Sequence, residues 1–231
     1  MAEKTTGADR PSSGPPVDAG TVRGSLRAAA GVLLLGGLIF FAGVSRPVVG
    51  DWAEAFDDEA KRIAIARADA DQFAVGFVLM GVGFIVMGIA LGLWGRAVTR
   101  LETGRRATAA VVLGLTAAIG GFGPGLVRVI TPLVDVEQAA GESGALDVAY
   151  LPGAFALTLG FVGFGILTWR GPAPQWAGIL LAFTGVAAAV TFPAWYMLGA
   201  LVFGLVGVVH FRRSWPRKPY PPAREKVPME K

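Results

Sequence analysis

The chain has no cysteine and no asparagine, and its single histidine is His210. The first absence excludes disulfides, thiolate metal sites and iron–sulfur clusters. The second excludes any N-glycosylation acceptor. One histidine cannot supply the two axial imidazoles of a bis-histidine haem. Charge is also scarce: 16% of the 231 residues are charged and 53% are hydrophobic, with a mean hydropathy of +0.55. That composition lies far from a soluble globular chain. The apolar runs contain neither Asp nor Glu, so transport coupled to protons or sodium through membrane carboxylates lacks its usual groups. No phosphate loop or dinucleotide fingerprint stands in a strand context. Asp57-Asp58-Glu59 is read as a solvated face rather than a metal site, because adjacent helical carboxylates point in different directions. No cofactor is expected.

What the sequence does have is long apolar runs. A spanning helix needs about 20 mainly apolar residues, and the runs 28–45, 73–94, 108–134 and 148–169 qualify. The stretch from Trp176 to Phe211 carries no charge before His210 and is too long for one crossing. Thr191-Phe192-Pro193 lies near its middle, followed by Trp195 and Tyr196. Proline interrupts the helical ladder and aromatic rings mark an interface, so two further spans, 176–192 and 194–211, are expected. The first run follows a long polar segment and is itself of spanning length, which predicts a retained helix rather than a signal peptide. Trp52, Trp94, Trp169, Trp176, Trp195 and Trp215 all fall at or beyond the edges of these runs, the pattern of an aromatic belt at headgroup level.

The formal charge of +4 and pI near 9.8 do not point to nucleic acid, because the bases form no single patch. They alternate with acids from loop to loop. Arg96, Arg100, Arg105 and Arg106 fill the second loop, Arg170 the fourth, and Arg212, Arg213, Arg217, Lys218, Arg224, Lys226 and Lys231 the C-terminal end. The first loop holds Asp51, Glu54, Asp57, Asp58, Glu59, Asp69 and Asp71, and the third holds Asp135, Glu137, Glu142 and Asp147. Bases collect on the cytoplasmic side. The expected fold is therefore an all-α polytopic bundle of six transmembrane helices with both termini cytoplasmic. Residues 1–25 are expected to be a disordered tail, 26–212 the transmembrane domain, and 213–231 a basic, Pro-rich tail drawn to anionic lipid. In the first external loop Trp52, Phe56, Ile63 and Ala70 recur near helical spacing. This predicts one short amphipathic helix on the outer surface, packed over the bundle mouth.

Small residues mark helix contacts. Gly88-x-x-x-Gly92, Gly121-x-x-x-Gly125 and Ala200-x-x-x-Gly204 let backbones approach closely, first of all inside the bundle, with homo-oligomerisation as the alternative. Gly83-Phe84, Gly88-Ile89 and Trp94 resemble Gly160-Phe161, Gly165-Ile166 and Trp169. Glycine-rich packing with an aromatic-Arg exit produces the same likeness and is the preferred account over a transporter-like repeat.

Arg128 is the one fixed charge deep in an expected span. A charge at the bilayer centre costs about 2.5–3.5 kcal/mol on insertion scales, which demands an explanation. The ordinary one is extension of the side chain to the interface, or pairing with Asp135 or Asp147. The functional one is an anion site beside a helix broken at Gly120–Gly125, where Gly120-Gly121-Phe122-Gly123-Pro124-Gly125 frees backbone groups. Gly141-Glu142-Ser143-Gly144 has the Gly-x-Ser-Gly form of rhomboid proteases. A serine nucleophile needs its base within hydrogen-bond reach, whereas His210 is expected across the roughly 30 Å hydrocarbon core. No catalytic, cofactor or metal residue is assigned.

Two segments carry a family likeness. They are Asp71-Gln72-Phe73 with Gly76-Phe77, and the turn Trp169-Arg170-Gly171 followed by Pro174-Gln175-Trp176-Ala177-Gly178. On these the chain resembles small six-helix bacterial membrane proteins classed under a domain of unknown function. In that family the turn usually reads Leu-Pro, a basic residue, Trp, Leu, Gly; Ala173 and Gln175 depart from it. The resemblance implies six helices and carries over no functional residue. The expectation is a non-enzymatic structural or accessory protein of the bacterial plasma membrane, with the lipid bilayer, copies of itself or another membrane protein as candidate partners. The alternative is a small permease or channel whose path runs by Arg128 and the Gly120–Gly125 segment.

Overall fold

The structure is a computed structural model that describes residues 19–55, 57–102, 104–141, 144–169, 174–190 and 194–213. Within these, the side chains of 19, 144–150, 169, 189–190, 194 and 211–213 are not described. The described residues form helices and no strand: α1 (Ala19–Val44), α2 (Pro47–Glu54), α3 (Glu59–Ala68), α4 (Ala70–Val98), α5 (Arg105–Val134), α6 (Val136–Ala140), α7 (Gly144–Trp169), α8 (Gln175–Val190) and α9 (Ala194–Arg213). Four of them, α1, α4, α5 and α7, are long and apolar enough to cross a membrane, while α8 and α9 are apolar but shorter. The end of the expected N-terminal tail, from Ala19, already belongs to α1, because Arg23 and Arg27 interrupt the apolar run without interrupting the helix. The rest of that tail and residues 214–231 lie outside the described residues.

Aspartates set the helix starts at one end of the bundle. Asp58 accepts from Lys61 N at 3.0 Å, Asp69 from Gln72 N at 3.4 Å, and Asp135 from Glu137 N and Gln138 N at 2.9 and 3.0 Å. Each satisfies a donor that the first turn leaves open. The single amphipathic helix expected over this loop is in fact two. Pro47 sits in the first turn of α2, and Asp58, extended at φ −126°, stops the chain and restarts it as α3. Phe56 lies outside the described residues. The expected break at Gly120–Gly125 does not occur either: α5 is helical from Arg105 to Val134 with Pro124 and Pro132 inside it. Proline removes one rung of the ladder, and neighbouring packing restores the continuity. The Pro124 ring occupies the space where Gly153 of α7 would otherwise carry a β-carbon.

The six longer helices close a ring in the order α1, α4, α5, α7, α8, α9, with α9 returning to α1. Its axis is filled by rings. Phe40 packs edge-on to Phe84 (4.9 Å), Phe84 and Phe161 both meet Tyr196 (5.9 and 5.2 Å), and Trp94 meets Phe203 (5.1 Å). Outward-facing Leu35, Phe41, Leu93, Leu115, Ile119, Phe155, Phe183 and Leu205 leave an apolar girdle on all six. Trp94 departs from the expected belt. It is buried on the same face of α4 as Met80 and Met87, turned inward rather than to headgroups. Trp176 is exposed as expected, and Trp195 packs edge-on to Phe183 at 5.9 Å.

A close seam runs between α4 and α5. A β-carbon on Gly88 would lie 2.8 Å from Ala117 O and 3.0 Å from Gly121 Cα, so nothing larger than glycine fits. Gly81 meets Gly125, and Gly95 meets Ala110 and Gly114. The spacing 81–88–95 is a heptad, which keeps one stripe of a helix on its partner at a shallow crossing. Gly204 fits against Ala30 and Leu34 of α1. All three small-residue motifs are thus used inside one chain.

The α8–α9 hairpin does not run the full length of the ring. Tyr196, the third residue of α9, donates its hydroxyl to Ala154 O (3.0 Å), hydrogen-bonds Thr158 and touches Phe84. Thr158 and Phe84 are each the fifteenth residue of their helices. At 1.5 Å per residue, α4 and α7 extend on the order of 15 Å past the start of α9. The 16-residue α8 is about 24 Å long, less than the hydrocarbon thickness of about 30 Å. Burial on α7 follows suit. Leu157, Phe161 and Phe164 are buried, whereas residues 151–156, more than a full turn and a half, include no buried residue.

A candidate site beneath the α2–α3–α6 cap

At the end where the hairpin is missing, the loops form a cap. Arg62 of α3 is 3% exposed and donates Nε to Ala140 O at the end of α6 (3.2 Å). Trp52 of α2 donates Nε1 to the same oxygen (3.1 Å). One carbonyl thus ties both short helices of the first loop to the only short helix described in the third. On the rim Arg67 pairs with Glu137 (2.7 Å), and Arg46 Nη1 donates to Gln72 Oε1 (2.6 Å). The cap stands on rings: Trp52 is edge-on to Phe77 (5.1 Å) and to Phe73 (6.1 Å), and Phe73 lies on Phe77 (4.3 Å).

Arg128 rises into this cluster from below. Its guanidinium carbon lies 5.1 Å from the centre of the Phe77 ring, a cation–π contact. The direction follows from helix phase. Ala117 faces both neighbours of α5, since its atoms block a β-carbon on Gly88 of α4 and on Gly160 of α7. Arg128 is 11 residues on, three turns within about 20° at 100° per residue, so it points along the same meridian toward the ring axis. It stands about 16 Å nearer the cap than Ala117. Of the two carboxylates considered for it, Asp135 uses Oδ1 to cap α6, and the side chain of Asp147 lies outside the described residues. The backbone groups expected to be freed at Gly120–Gly125 remain in a continuous helix, so they add no anion donors.

No family model, curated protein or solved structure matches this chain.

The remaining sequence candidates separate. Ser143 and Glu142 lie outside the described residues; Gly141 packs near Glu59 and Ile63 under the cap, and His210 lies in α9 at the opposite end. Among Asp57, Asp58 and Glu59, Asp58 is engaged as the cap of α3. No group of three acidic or histidine side chains converges among the described residues. The weak repeat has a structural counterpart. Gly83 faces α1 and Gly88 faces α5, while Gly160 faces α5 and Gly165 faces α8; Phe84 and Phe161 meet on Tyr196. Helices α4 and α7 therefore hold equivalent places two positions apart in the ring. Two residues central to this architecture carry no sequence signal of their role. Arg62 looks like any base on an amphipathic helix, and Tyr196 like an interfacial ring.

Proposed function

We propose that the chain is a six-crossing plasma-membrane protein with the capped end outside, both termini in the cytoplasm and a structural or accessory rather than enzymatic role. The aromatic filling of the ring axis is the observation that carries this reading, since Phe40, Phe84, Phe161, Tyr196, Trp94 and Phe203 occupy the place a solute path would take. The apolar girdle supports the bilayer as its solvent. The segregation of Arg23, Arg27, Arg96, Arg100, Arg105 and Arg106 at one end, against an acid-rich cap, supports the orientation. In the six-crossing reading α8 and α9 cross as a short pair, with the bilayer thinned or the hairpin ends snorkelling to meet them. Anionic lipid on the cytoplasmic face is the expected partner of the arginine end.

The alternative is a small permease using Arg128, favoured by its half-buried position on the axis meridian. Flux of small anions into proteoliposomes separates the two. The accessory reading expects the rate of empty liposomes; flux that disappears in R128Q overturns it. Orientation is tested in the cysteine-free background. D57C should react with an impermeant thiol reagent in intact cells, and G104C only after permeabilisation.

A further inference from the structure

We propose that the outer groove between α1 and α4, at the arginine end, binds one anionic phospholipid of that leaflet, with Arg96 and Arg100 on its phosphate. The site rests on the reading of anionic lipid as the partner of this end and gives it a place. Three observations carry it. First, Arg96 and Arg100 are exposed and one turn apart on α4, and among the described residues neither has a carboxylate partner. Glu102, the one acid of the second loop, is taken by Arg106 (3.5 Å). Second, Arg100 is aimed. Its Nη1 donates to Ser25 Oγ of α1 (3.3 Å), and that hydroxyl donates in turn to Thr21 O (3.0 Å). One arm of the guanidinium is thus held across the α1–α4 seam, and the rest of the fork remains for a ligand. Third, apolar surface continues directly from the charges. At 100° per residue the exposed Ile89 and Leu93 lie within about 60° of both arginines on α4. Helices α1 and α4 run antiparallel, with Gly36 against Met87 and Gly43 against Gly76. Leu93 and Val32 therefore stand together, each one heptad, or about 10 Å, on the bilayer side of the Arg100–Ser25 contact.

The chemistry of the occupant follows from that arrangement. Two guanidiniums on one stripe, one of them braced, match the anionic oxygens of a phosphodiester through charge-assisted, forked hydrogen bonds. Leu93, Val32 and Ile89 lie where an acyl chain descends from that phosphate toward the bilayer centre. A soluble anion would leave the apolar groove bare, and a lipid without net charge would leave both arginines unmatched. The dipole at the C-terminal end of α4 also favours bases there. It favours them on every face of the helix, however, and does not set one of them against Ser25.

The full chain, purified in detergent and stripped of endogenous lipid, is titrated with phosphatidylglycerol and read by native mass spectrometry. Wild type should retain one phosphatidylglycerol more tightly than any further one, and more tightly than phosphatidylcholine. R100Q and R96Q should each weaken that first binding about tenfold, the usual size of a lost charge-assisted contact. R105Q removes the same charge from the start of α5 and should leave it intact. S25A should cost less than R100Q and nothing further in the R100Q background, because the hydroxyl acts through Arg100. Glycerol phosphate should compete only at far higher concentration. Equal retention by wild type and R100Q, in proteins of the same monodisperse size, overturns the proposal. Equal losses in R100Q and R105Q overturn it in favour of diffuse attraction to the whole arginine end. Competition by glycerol phosphate at the concentration of the lipid overturns it in favour of a free-anion site. If G104C is labelled in intact cells while lipid retention still depends on Arg100, the orientation fails and the site stands.

Discussion

The two halves of this bundle share glycine seams but are closed differently. Toward the arginine end six helices close around an axis filled with aromatic rings, and contact is made by backbone against backbone. Gly88 sits on Gly121, Gly95 on Ala110 and Gly114, and Gly165 on Gly178 and Ala182. Toward the cap the α8–α9 hairpin has ended; glycine seams such as Gly43 on Gly76 and Gly81 on Gly125 continue there, and a lid with polar fastenings is added above them: Arg62 and Trp52 on Ala140 O, Arg67 on Glu137, Arg46 on Gln72. In hydrocarbon, association depends on packing and small residues because lipid tails are as apolar as the helices. At the water interface a backbone carbonyl can be matched by side chains. The two halves should therefore fail differently.

The largest effect is expected in the arginine half. G88L places a branched side chain where a single β-carbon already collides with α5 backbone, which cannot move aside as a side-chain tip could. Overpacking of this kind costs about 1–3 kcal/mol, and more where backbone blocks relaxation. The expected outcome is loss of the monodisperse detergent-solubilised species. G24L, at a glycine with nothing within 4 Å, is the control and should behave as wild type. Equal tolerance of both changes would show that the seams are loose and the distinction between the halves is false.

Second comes the cap. R62M keeps much of the buried volume but removes the donor to Ala140 O, in a residue only 3% exposed. Hydrogen bonds made by charged groups contribute about 1.5–3 kcal/mol. The loss should appear as faster amide exchange across 59–68 and 136–140, with exchange in α4 and α5 unchanged. If α4 and α5 loosen as well, the cap is part of the bundle's fold and not a lid upon it.

These two changes also mark what could be read from the sequence. The five-run hydropathy pattern and the Pro193 split place all six longer helices, and the alternation of charge places the cap at one end, because both depend on composition summed over many residues. The α4–α5 seam is legible through Gly88, Gly92, Gly121 and Gly125, whereas the heptad 81–88–95 that aligns it emerges only from the contacts with α5. Arg62 was illegible, because its role depends on Ala140 being brought within 3.2 Å across 78 residues, a tertiary fact with no local signature. Trp94 was misread for a related reason. Its place near the end of an apolar run suggests an interface, and only helix phase against α9 turns it inward onto Phe203. The break at Gly120–Gly125 was misread because Pro124 finds its compensation in Gly153, on another helix. Arg128 was legible as an exception to its surroundings, but its direction toward the axis came only with the contacts of Ala117.

A smaller effect tests where the two halves meet. Y196F deletes the hydroxyl that reaches Ala154 O and Thr158, while the ring still packs on Phe84 and Phe161. Hydrogen bonds inside helical membrane proteins average about 0.6 kcal/mol and reach about 1.7. Unfolding in mixed micelles should register a loss within that range, and Y196A a larger one because the ring goes too. A Y196F protein as impaired as Y196A would mean that the hydroxyl network, rather than the aromatic filling, holds α9 in the ring.

The smallest expected effect lies five residues from one of the largest. Arg67 shares α3 with Arg62 and also reaches the third loop, with Nη2 at 2.7 Å and Nε at 2.9 Å from Glu137 Oε1. By distance alone it is the better contact. Its side chain is 66% exposed and that of Glu137 51%, however, so water competes for both partners and salt screens them. Exposed pairs of this sort contribute about 0.2–1 kcal/mol. R67A should therefore leave amide exchange at 136–140 nearly unchanged, with any difference disappearing as ionic strength rises. R62M should act at low and high salt alike, because the side chain it replaces is only 3% exposed and so is little screened. If the two variants have similar, salt-sensitive effects, the cap is a screened electrostatic association. If only R62M acts, the buried base and not the exposed ion pair holds it down.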